Sequence, residues 1–389
     1  MASIPFVDLK AQYERLAPRI KERIQAVLEH GKFIMGPEVA ELEKALCDYT
    51  SAAHCISCAS GTDALLLGLM AKGVGPGDAI LTSPFTFIAT AEVVSLLGAT
   101  PVFVDIDPRT FNLDPKALAR AIEALRANDP GLHPLPQTVD GRQLSPKGVI
   151  AVDLFGLPAD YPALRSITDA AGLFLMEDGA QSLGGSLDGG MACNLAEIGA
   201  TSFFPAKPLG GYGDGGAVFT ADADMAAVMR SLRVHGAGAE KYDNVRIGVN
   251  ARLDTLQAAI LLAKLEVFPD EIDARRRAAA LYDELLSGAP GIRTPYLPPG
   301  AQSAFAQYSI LTDRRADLQA ALKDAGVPTA VYYPCPLHLQ TAFSALGYKA
   351  GDMPVSEDAS ARILSLPMHP YLAQADVERI CSVVAENVK

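Results

Sequence analysis

The sequence predicts an α/β protein: a mostly parallel, seven-stranded sheet covered by helices on both faces, followed by a smaller C-terminal α+β domain. Three observations carry that expectation. Short apolar runs alternate with stretches of helical period from residue 54 to residue 219, and the pattern turns to mixed helices and short strands after residue 253. The length, 389 residues of which 49% are hydrophobic, suffices for a large core and two domains, placed at 1–252 and 253–389.

From the N-terminus, Leu16, Ile20, Ile24, Val27 and Leu28 form a helical stripe over Tyr13 to Leu28. Gly31-Lys32-Phe33-Ile34-Met35-Gly36-Pro37 breaks it, and a second helix runs from Glu38 to Tyr49. Seven candidate strands follow: His54–Cys58, Ala79–Thr82, Thr100–Val104, Val149–Leu154, Leu173–Glu177, Ala200–Phe204 and Ala217–Phe219. Helix-like segments lie between most of them, at Asp63–Ala71, Ile88–Leu97, Pro115–Ala127 and Tyr161–Ala171. The last two strands are joined without a helix. That link is too short for a crossover, so the pair should be antiparallel. Asn128 to Pro146 is polar and rich in Pro and Gly, and reads as a surface loop. Leu256, Ala259, Ile260, Leu262, Leu265 and Val267 start a long helix from Leu253 to about Ala289, expected to join the two domains. Beyond it, strands Gln307–Thr312 and Thr329–Tyr333 alternate with helices Arg315–Ala325 and Ala375–Asn387.

The net charge of -12, with no block of basic residues, argues against nucleic acid and anionic membrane surfaces. No apolar run reaches the length of a membrane span. Met1-Ala2-Ser3-Ile4-Pro5 runs into a charged amphipathic segment without the pattern of a leader, and the six cysteines are scattered; both suit a cytoplasmic protein. Cys55-Ile56-Ser57-Cys58 has no second pair to complete a zinc site and alternates like a buried strand, so no metal is expected.

Four stretches carry chemistry. Lys207 stands between Pro205 and Pro208, ahead of the glycine-rich run from Gly210 to Gly216. So stiff a setting suits an amine aimed at a carbonyl carbon as a Schiff-base lysine, the alternative being an ordinary surface loop. Ser60-Gly61-Thr62-Asp63 follows a strand and opens a helix, which makes either a phosphate seat or a plain N-cap. Asp178 ends a strand, where open α/β sheets bind ligands and where a carboxylate can hold a pyridine nitrogen protonated. Phe85 and Phe87 also follow a strand and offer a face to a flat ring, or pack in the core. A phosphate seat, an aromatic face, an acid for a ring nitrogen and a carbonyl-seeking lysine together describe pyridoxal phosphate.

The chain resembles the DegT/StrS family of pyridoxal-phosphate-dependent nucleotide-sugar aminotransferases, nearly end to end. Phe6-Val7-Asp8-Leu9, Gly36-Pro37-Glu38-Val39, Ser60-Gly61-Thr62-Asp63-Ala64-Leu65 and Glu177-Asp178-Gly179-Ala180-Gln181-Ser182 carry the likeness. So do Ser202-Phe203-Phe204-Pro205-Ala206-Lys207, Gly213-Asp214-Gly215-Gly216, Asn250-Ala251-Arg252-Leu253-Asp254 and Leu364-Ser365-Leu366-Pro367-Met368-His369-Pro370. The resemblance implies the aspartate aminotransferase architecture (fold type I) and a homodimer with shared active sites. It makes Lys207 the residue that carries the cofactor and moves the proton. By the same likeness Asp178 pairs with the pyridine nitrogen and Gln181 contacts the ring hydroxyl. Gly61, Thr62 and Ser202 hold the phosphate, Phe87 stacks on the ring, and Asn250 reaches the phosphate from the second subunit.

The implied reaction takes an amino group from L-glutamate to a nucleotide-linked keto-sugar. The runs Asn244-Val245-Arg246-Ile247-Gly248 and Leu253-Asp254-Thr255-Leu256-Gln257 resemble bacterial enzymes that aminate the C3 ketone of UDP-2-acetamido-2-deoxy-hexuluronic acid for surface polysaccharides such as lipopolysaccharide O-antigen. Arg252 is the candidate partner for the uronate carboxylate. Tyr332, Tyr333 and His338 are candidates for the sugar pocket, or else for packing. Gly179 stands where relatives carry Ala, and Tyr332 where relatives acting on the uronate carry His. The second departure leaves open a neutral 3-keto- or 4-keto-deoxysugar. A non-catalytic regulator is the alternative of another class, and the intact set of Lys207, Asp178 and Gln181 speaks against it.

Overall fold

The computed structural model describes residues 4–138, 141, 143–240 and 242–387. In chain order its first half holds α1 (Leu9–His30), α2 (Pro37–Thr50), β1 (His54–Cys58), α3 (Gly61–Ala71), β2 (Asp78–Thr82), α4 (Ala89–Leu96), β3 (Thr100–Phe103), α5 (Pro115–Ala127) and β4 (Ser145–Val152). There follow α6 (Tyr161–Ala171), β5 (Phe174–Asp178), β6 (Ser186–Leu187), β7 (Gly190–Met191), β8 (Ile198–Ser202), β9 (Gly216–Thr220), α7 (Ala223–Leu232), α8 (Thr255–Leu265) and α9 (Phe268–Leu286). The C-terminal part adds β10 (Ala301–Gln302), β11 (Tyr308–Leu311), α10 (Arg315–Asp324), α11 (Pro354–Arg362), β12 (Ile363–Leu366) and α12 (Gln374–Asn387).

The main sheet has seven strands in the order β1-β9-β8-β5-β4-β2-β3. Five of them, from β8 across to β3, run parallel, and β9 lies antiparallel between β8 and β1. The short link through Lys207 therefore does join an antiparallel pair. Alternate residues of each strand go to opposite faces. Ile56, Ile80, Ile150 and Met176 pack under α3, α4 and α7. On the other face, Ala79, Leu81, Val149 and Leu175 pack against α5 and α6, while Cys55 and Phe219 meet α2 and α8.

Local signals account for the helix ends. The Asp114 carboxylate accepts from the Lys116 amide at 2.9 Å, Pro115 starts α5, and Asn128 closes it in the left-handed region at φ 52°. Asp160, Pro162 and Gly172 do the same for α6. Cys55 and Cys58 lie three positions apart on opposite faces of β1, and both are buried because helices cover the sheet on both sides.

Three expectations need correction. The long helix from Leu253 is two helices, because Pro269 in the first turn of α9 has no amide to continue α8. The strand expected at Thr329–Tyr333 is a single bridge between Ala330 and Ser365, and the partner of β11 is β12 instead. The β-favouring residues of 329–333 leave the sheet edge because the segment turns toward the cavity described below, which Tyr332 and Tyr333 line. Of the loop expected at Asn128–Pro146, Ser145 and Pro146 already belong to β4, and residues 139, 140 and 142 lie outside the described ones.

The C-terminal part has a core of its own, in which Tyr282 stacks on Tyr308 at 4.5 Å between ring centres and Leu318, Leu364, Ile380 and Val384 close around them. Among the described residues no helix is long and apolar enough to cross a membrane.

Candidate active site

A cavity of about 400 Å³ opens at the C-terminal ends of the parallel strands, where open sheets of this kind bind ligands. Its walls come from distant parts of the chain: the start of α3, the β2–α4 turn, the end of β5, the β8–β9 loop and the segment at 332–333.

The start of α3 supplies an anion seat. Ser60 caps the helix, its hydroxyl accepting from the Asp63 amide at 3.0 Å. Gly61 and Thr62 occupy the first two helical positions, whose amides have no acceptor within the helix. The seat is built by close approach. A Cβ on Gly61 would lie 2.7 Å from the Ser202 Cβ, and one on Gly216 would lie 2.3 Å from the Ser60 carbonyl oxygen. Ser202 lines the cavity beside them.

Asp178 closes the floor. Its carboxylate accepts from the Thr90 hydroxyl at 2.7 Å and from the Ala180 amide at 3.2 Å. Burial pushes this carboxyl above the ordinary aspartate range, while Thr90, Ala180 and the charge of Lys207 act against the rise. Lys207 lines the same cavity. Burial pushes its amine below the ordinary lysine range, and the Asp178 charge opposes that shift. A lysine of lowered pKa is neutral for part of the time, which a nucleophilic amine requires.

Gln181 has both ends of its amide engaged. Its carbonyl accepts from the Phe155 amide at 2.6 Å, and its NH2 donates to the Tyr333 hydroxyl at 3.1 Å. Phe87 keeps 56% of its surface exposed over the cavity, whereas Phe85 is fully buried against Phe111, Phe155 and Tyr333. The ring free to stack on a ligand is therefore Phe87.

The structure thus brings together Gly61, Thr62, Phe87, Asp178, Gln181, Ser202, Lys207, Tyr332 and Tyr333. Three sequence candidates stand elsewhere. Asn250 is exposed and its backbone bridges to Val234; Arg252 is half-buried outside the cavity lining, with an Nε that has no partner among the described residues. His338 is the third, and the packing alternative applies to it. It is buried, its Nε2 lies 3.1 Å from Glu357, and its ring packs on Phe103 and Tyr348. The short helical turn at Leu337–Leu339 places it in that core, outside the cavity lining.

Thr90 and Gln307 are among the cavity residues that the sequence reading did not single out. Thr90 sits 88 positions before the Asp178 it holds. Gln307 lines the cavity, and its buried Oε1 has no partner among the described residues. Neither lies in a motif, so no local signal marks them. Among the described lining residues Lys207 is the only cation, facing Asp178 and Asp214.

The family model for DegT/DnrJ/EryC1/StrS aminotransferases matches residues 14–385. The chain is similar to the UDP-2-acetamido-2-deoxy-3-oxo-D-glucuronate aminotransferase of Pseudomonas aeruginosa, 49% identical over 98% of this chain and 99% of the relative. It is also similar to the UDP-N-acetyl-3-dehydro-alpha-D-glucosamine 3-aminotransferase of Acidithiobacillus ferrooxidans, 39% identical over 99% and 98%. Among solved structures, a DegT/DnrJ/EryC1/StrS aminotransferase from Brucella abortus superposes with a TM-score of 0.93 at 48% identity, covering 99% of this chain and 100% of that one.

Proposed function

The chain belongs to the DegT/DnrJ/EryC1/StrS aminotransferase family, and on that premise we propose that it aminates the C3 ketone of a UDP-linked 2-acetamido-2-deoxy-hexuluronic acid, with L-glutamate as donor. It is a pyridoxal-phosphate-dependent aminotransferase of nucleotide-linked keto-sugars. The cavity fits that cofactor in its own right: the open amides at the start of α3, the bare Cα of Gly61 and the buried acid Asp178 are what a phosphate and a pyridine ring call for. When bound, the cofactor supplies the carbonyl that carries the amino group between substrates and the ring that stabilises a carbanion.

The residues divide the remaining work. With the cofactor bound, Gly61, Thr62 and Ser202 would hold its phosphate, Phe87 would stack on its ring, and Gln181, tied to Tyr333, would contact the ring hydroxyl. Asp178 would keep a proton on the ring nitrogen, since a buried carboxylate favours a cationic neighbour. Lys207 Nζ would take the proton from the donor's α-carbon and, once the keto-sugar is bound, give one to its former ketone carbon, an amine of lowered pKa being neutral for part of the time. The observation that carries the reading is this pairing of Lys207 and Asp178 across a single cavity.

The sugar carboxylate needs a cation, and the described lining residues offer none besides Lys207. In this reading a second copy of the chain supplies it. Arg252, with an unpartnered Nε, and exposed Asn250 reach into the neighbour's site, so the working unit is a cytoplasmic homodimer serving polysaccharide synthesis. Tyr332 and the single cation favour a second reading, a neutral 3-oxo sugar such as the one in the name of the Acidithiobacillus relative.

The test is turnover of purified protein loaded with pyridoxal phosphate, given L-glutamate and either the 3-oxo-uronate or its uncharged counterpart, with products read by mass spectrometry. Preference for the uronate, lost with Arg252→Ala and absent in Lys207→Ala, is expected. Equal use of both acceptors would overturn the uronate assignment. Failure of glutamate to convert the cofactor would overturn the choice of donor.

A further inference from the structure

The loop that carries Lys207 is gripped from behind by one helix. Lys264 of α8 is completely buried (0% exposed), and its ammonium donates to the carbonyl oxygen of Gly210 at 2.6 Å, three residues beyond Lys207. The same ammonium lies 4.2 Å from the ring centre of Tyr212. Gln257, two turns earlier on the same face of α8, accepts from the Tyr212 amide at 2.8 Å. The glycines between leave no spare room. A Cβ on Gly211 or on Gly213 would lie 2.9 Å from the Gln257 amide, and one on Gly210 would lie 2.3 Å from the Pro205 carbonyl oxygen. On its other side the loop folds back on the end of β8, where the Lys207 amide donates to Phe204 at 2.8 Å and the Gly211 amide to Phe203 at 2.7 Å.

We propose that Lys264 and Gln257 are positioning residues for Lys207: together they hold the loop so that the reactive amine meets the cofactor at a fixed distance. The proposal rests on the aminotransferase reading for what Lys207 does, and on the geometry alone for what holds it. An inward-facing carbonyl such as that of Gly210 requires a donor. A neutral donor would meet that need with less loss of hydration than an ammonium. Burial indeed holds the Lys264 amine down to about 8, against the attraction of Glu271 on α9. Glu271 is itself buried, accepting from Gln12 at 2.8 Å and from Tyr371. What lysine adds is reach and two contacts at once, one on the Gly210 carbonyl and one on the Tyr212 ring. The hydrophobic α8 face around it packs on α1 and α2, which makes the clamp rigid.

The experiment compares Lys264→Met, which removes the donor, with Lys264→Gln, which keeps a neutral one, in the full-length protein. Hydrogen exchange of the peptide spanning residues 207–213, measured without cofactor, reads the clamp itself and is independent of the reaction assigned to the site. Lys264→Met should fold, exchange roughly tenfold faster in that peptide, and lose roughly tenfold in kcat at unchanged KM for the donor, as expected when a reacting group is displaced by a fraction of an ångström. Lys264→Gln, a shorter neutral donor without the contact to the Tyr212 ring, should restore part of both. Unchanged exchange and kcat in Lys264→Met, or a Lys264→Gln protein no better than it, would overturn the proposal. Should Lys264→Met fail to fold, Gln257→Ala decides: it must accelerate exchange in the same peptide, and normal protection there would sink the idea. Faster exchange in a protein that turns over none of the keto-sugars offered would keep the clamp and discard the proposed substrate.

Discussion

Glu177 and Asp178 are consecutive on β5, and their side chains leave the sheet on opposite faces. Asp178 faces the open cavity, where the Thr90 hydroxyl and the Ala180 amide leave it able to receive a ligand's N–H. Glu177 faces a closed interior, where the amides of Cys193 and Leu195 occupy both its oxygens. Asp153 lies on that closed face too, taking the Ala159 amide at 2.9 Å and the hydroxyls of Tyr161 and Ser182 at 2.8 and 2.7 Å. Burial raises the affinity of both closed-face carboxyls for a proton, and the nearby Asp153 charge raises that of Glu177 further. Two neighbouring carboxylates of one strand thus have two roles: access to the cavity makes an acid a working group, and saturation with internal donors makes it a fixture of the fold.

The sharpest test exchanges the two. Asp178→Asn should lower turnover on the order of 100-fold while leaving thermal stability within a few degrees, because it deletes a charge aimed at the reacting ring. Glu177→Gln should do the reverse. Its NH2 cannot accept from a backbone amide, so roughly 1–3 kcal/mol of stability should go, with kcat per folded molecule nearly unchanged. Kinetics and denaturation on the two proteins settle it, and equal loss of turnover in both would abolish the distinction between the faces.

A pH series on the parent and on Asp153→Asn isolates the closed face. Burial pushes the Asp153 carboxyl up to about 6. The folded protein then holds a proton that the unfolded chain has already released above an ordinary pKa of about 4. This group's contribution is therefore most favourable below that value and declines as pH rises to about 6, with a slope of up to about 1.4 kcal/mol per pH unit. Urea midpoints between pH 4 and 7 should fall less steeply in Asp153→Asn than in the parent. Identical slopes would mean that the buried pair shares no proton.

The smallest effects separate cavity from packing in the C-terminal part. Tyr332→Phe removes a hydroxyl from the cavity wall and should raise KM for the sugar several-fold. His338→Asn should leave both kinetic constants within roughly twofold and lower only stability, by about 1 kcal/mol, through the lost contact with Glu357. A sugar-dependent KM change in His338→Asn would return that residue to the site.

The sequence alone determined whatever depends on neighbours in the chain. Short apolar runs set the strands of the main sheet, an Asp followed by Pro at the start and Asn or Gly at the end marked α5 and α6, and the short link at Lys207 implied its antiparallel pair. The motifs at Gly61, Asp178 and Lys207 were legible because each keeps its chemistry within a few residues of a strand end. Tertiary structure decided everything that joins distant segments. It set Thr90 on Asp178, Gln181 on Tyr333 and Lys264 under Gly210, pairs separated by 88, 152 and 54 positions. It sent His338 into a core and drew the β-favouring run at 329–333 off the sheet, since burial and partner choice outweigh local propensity there. A period along the chain tells which side of an element is apolar; it carries no information about which remote segment will come to lie against that side.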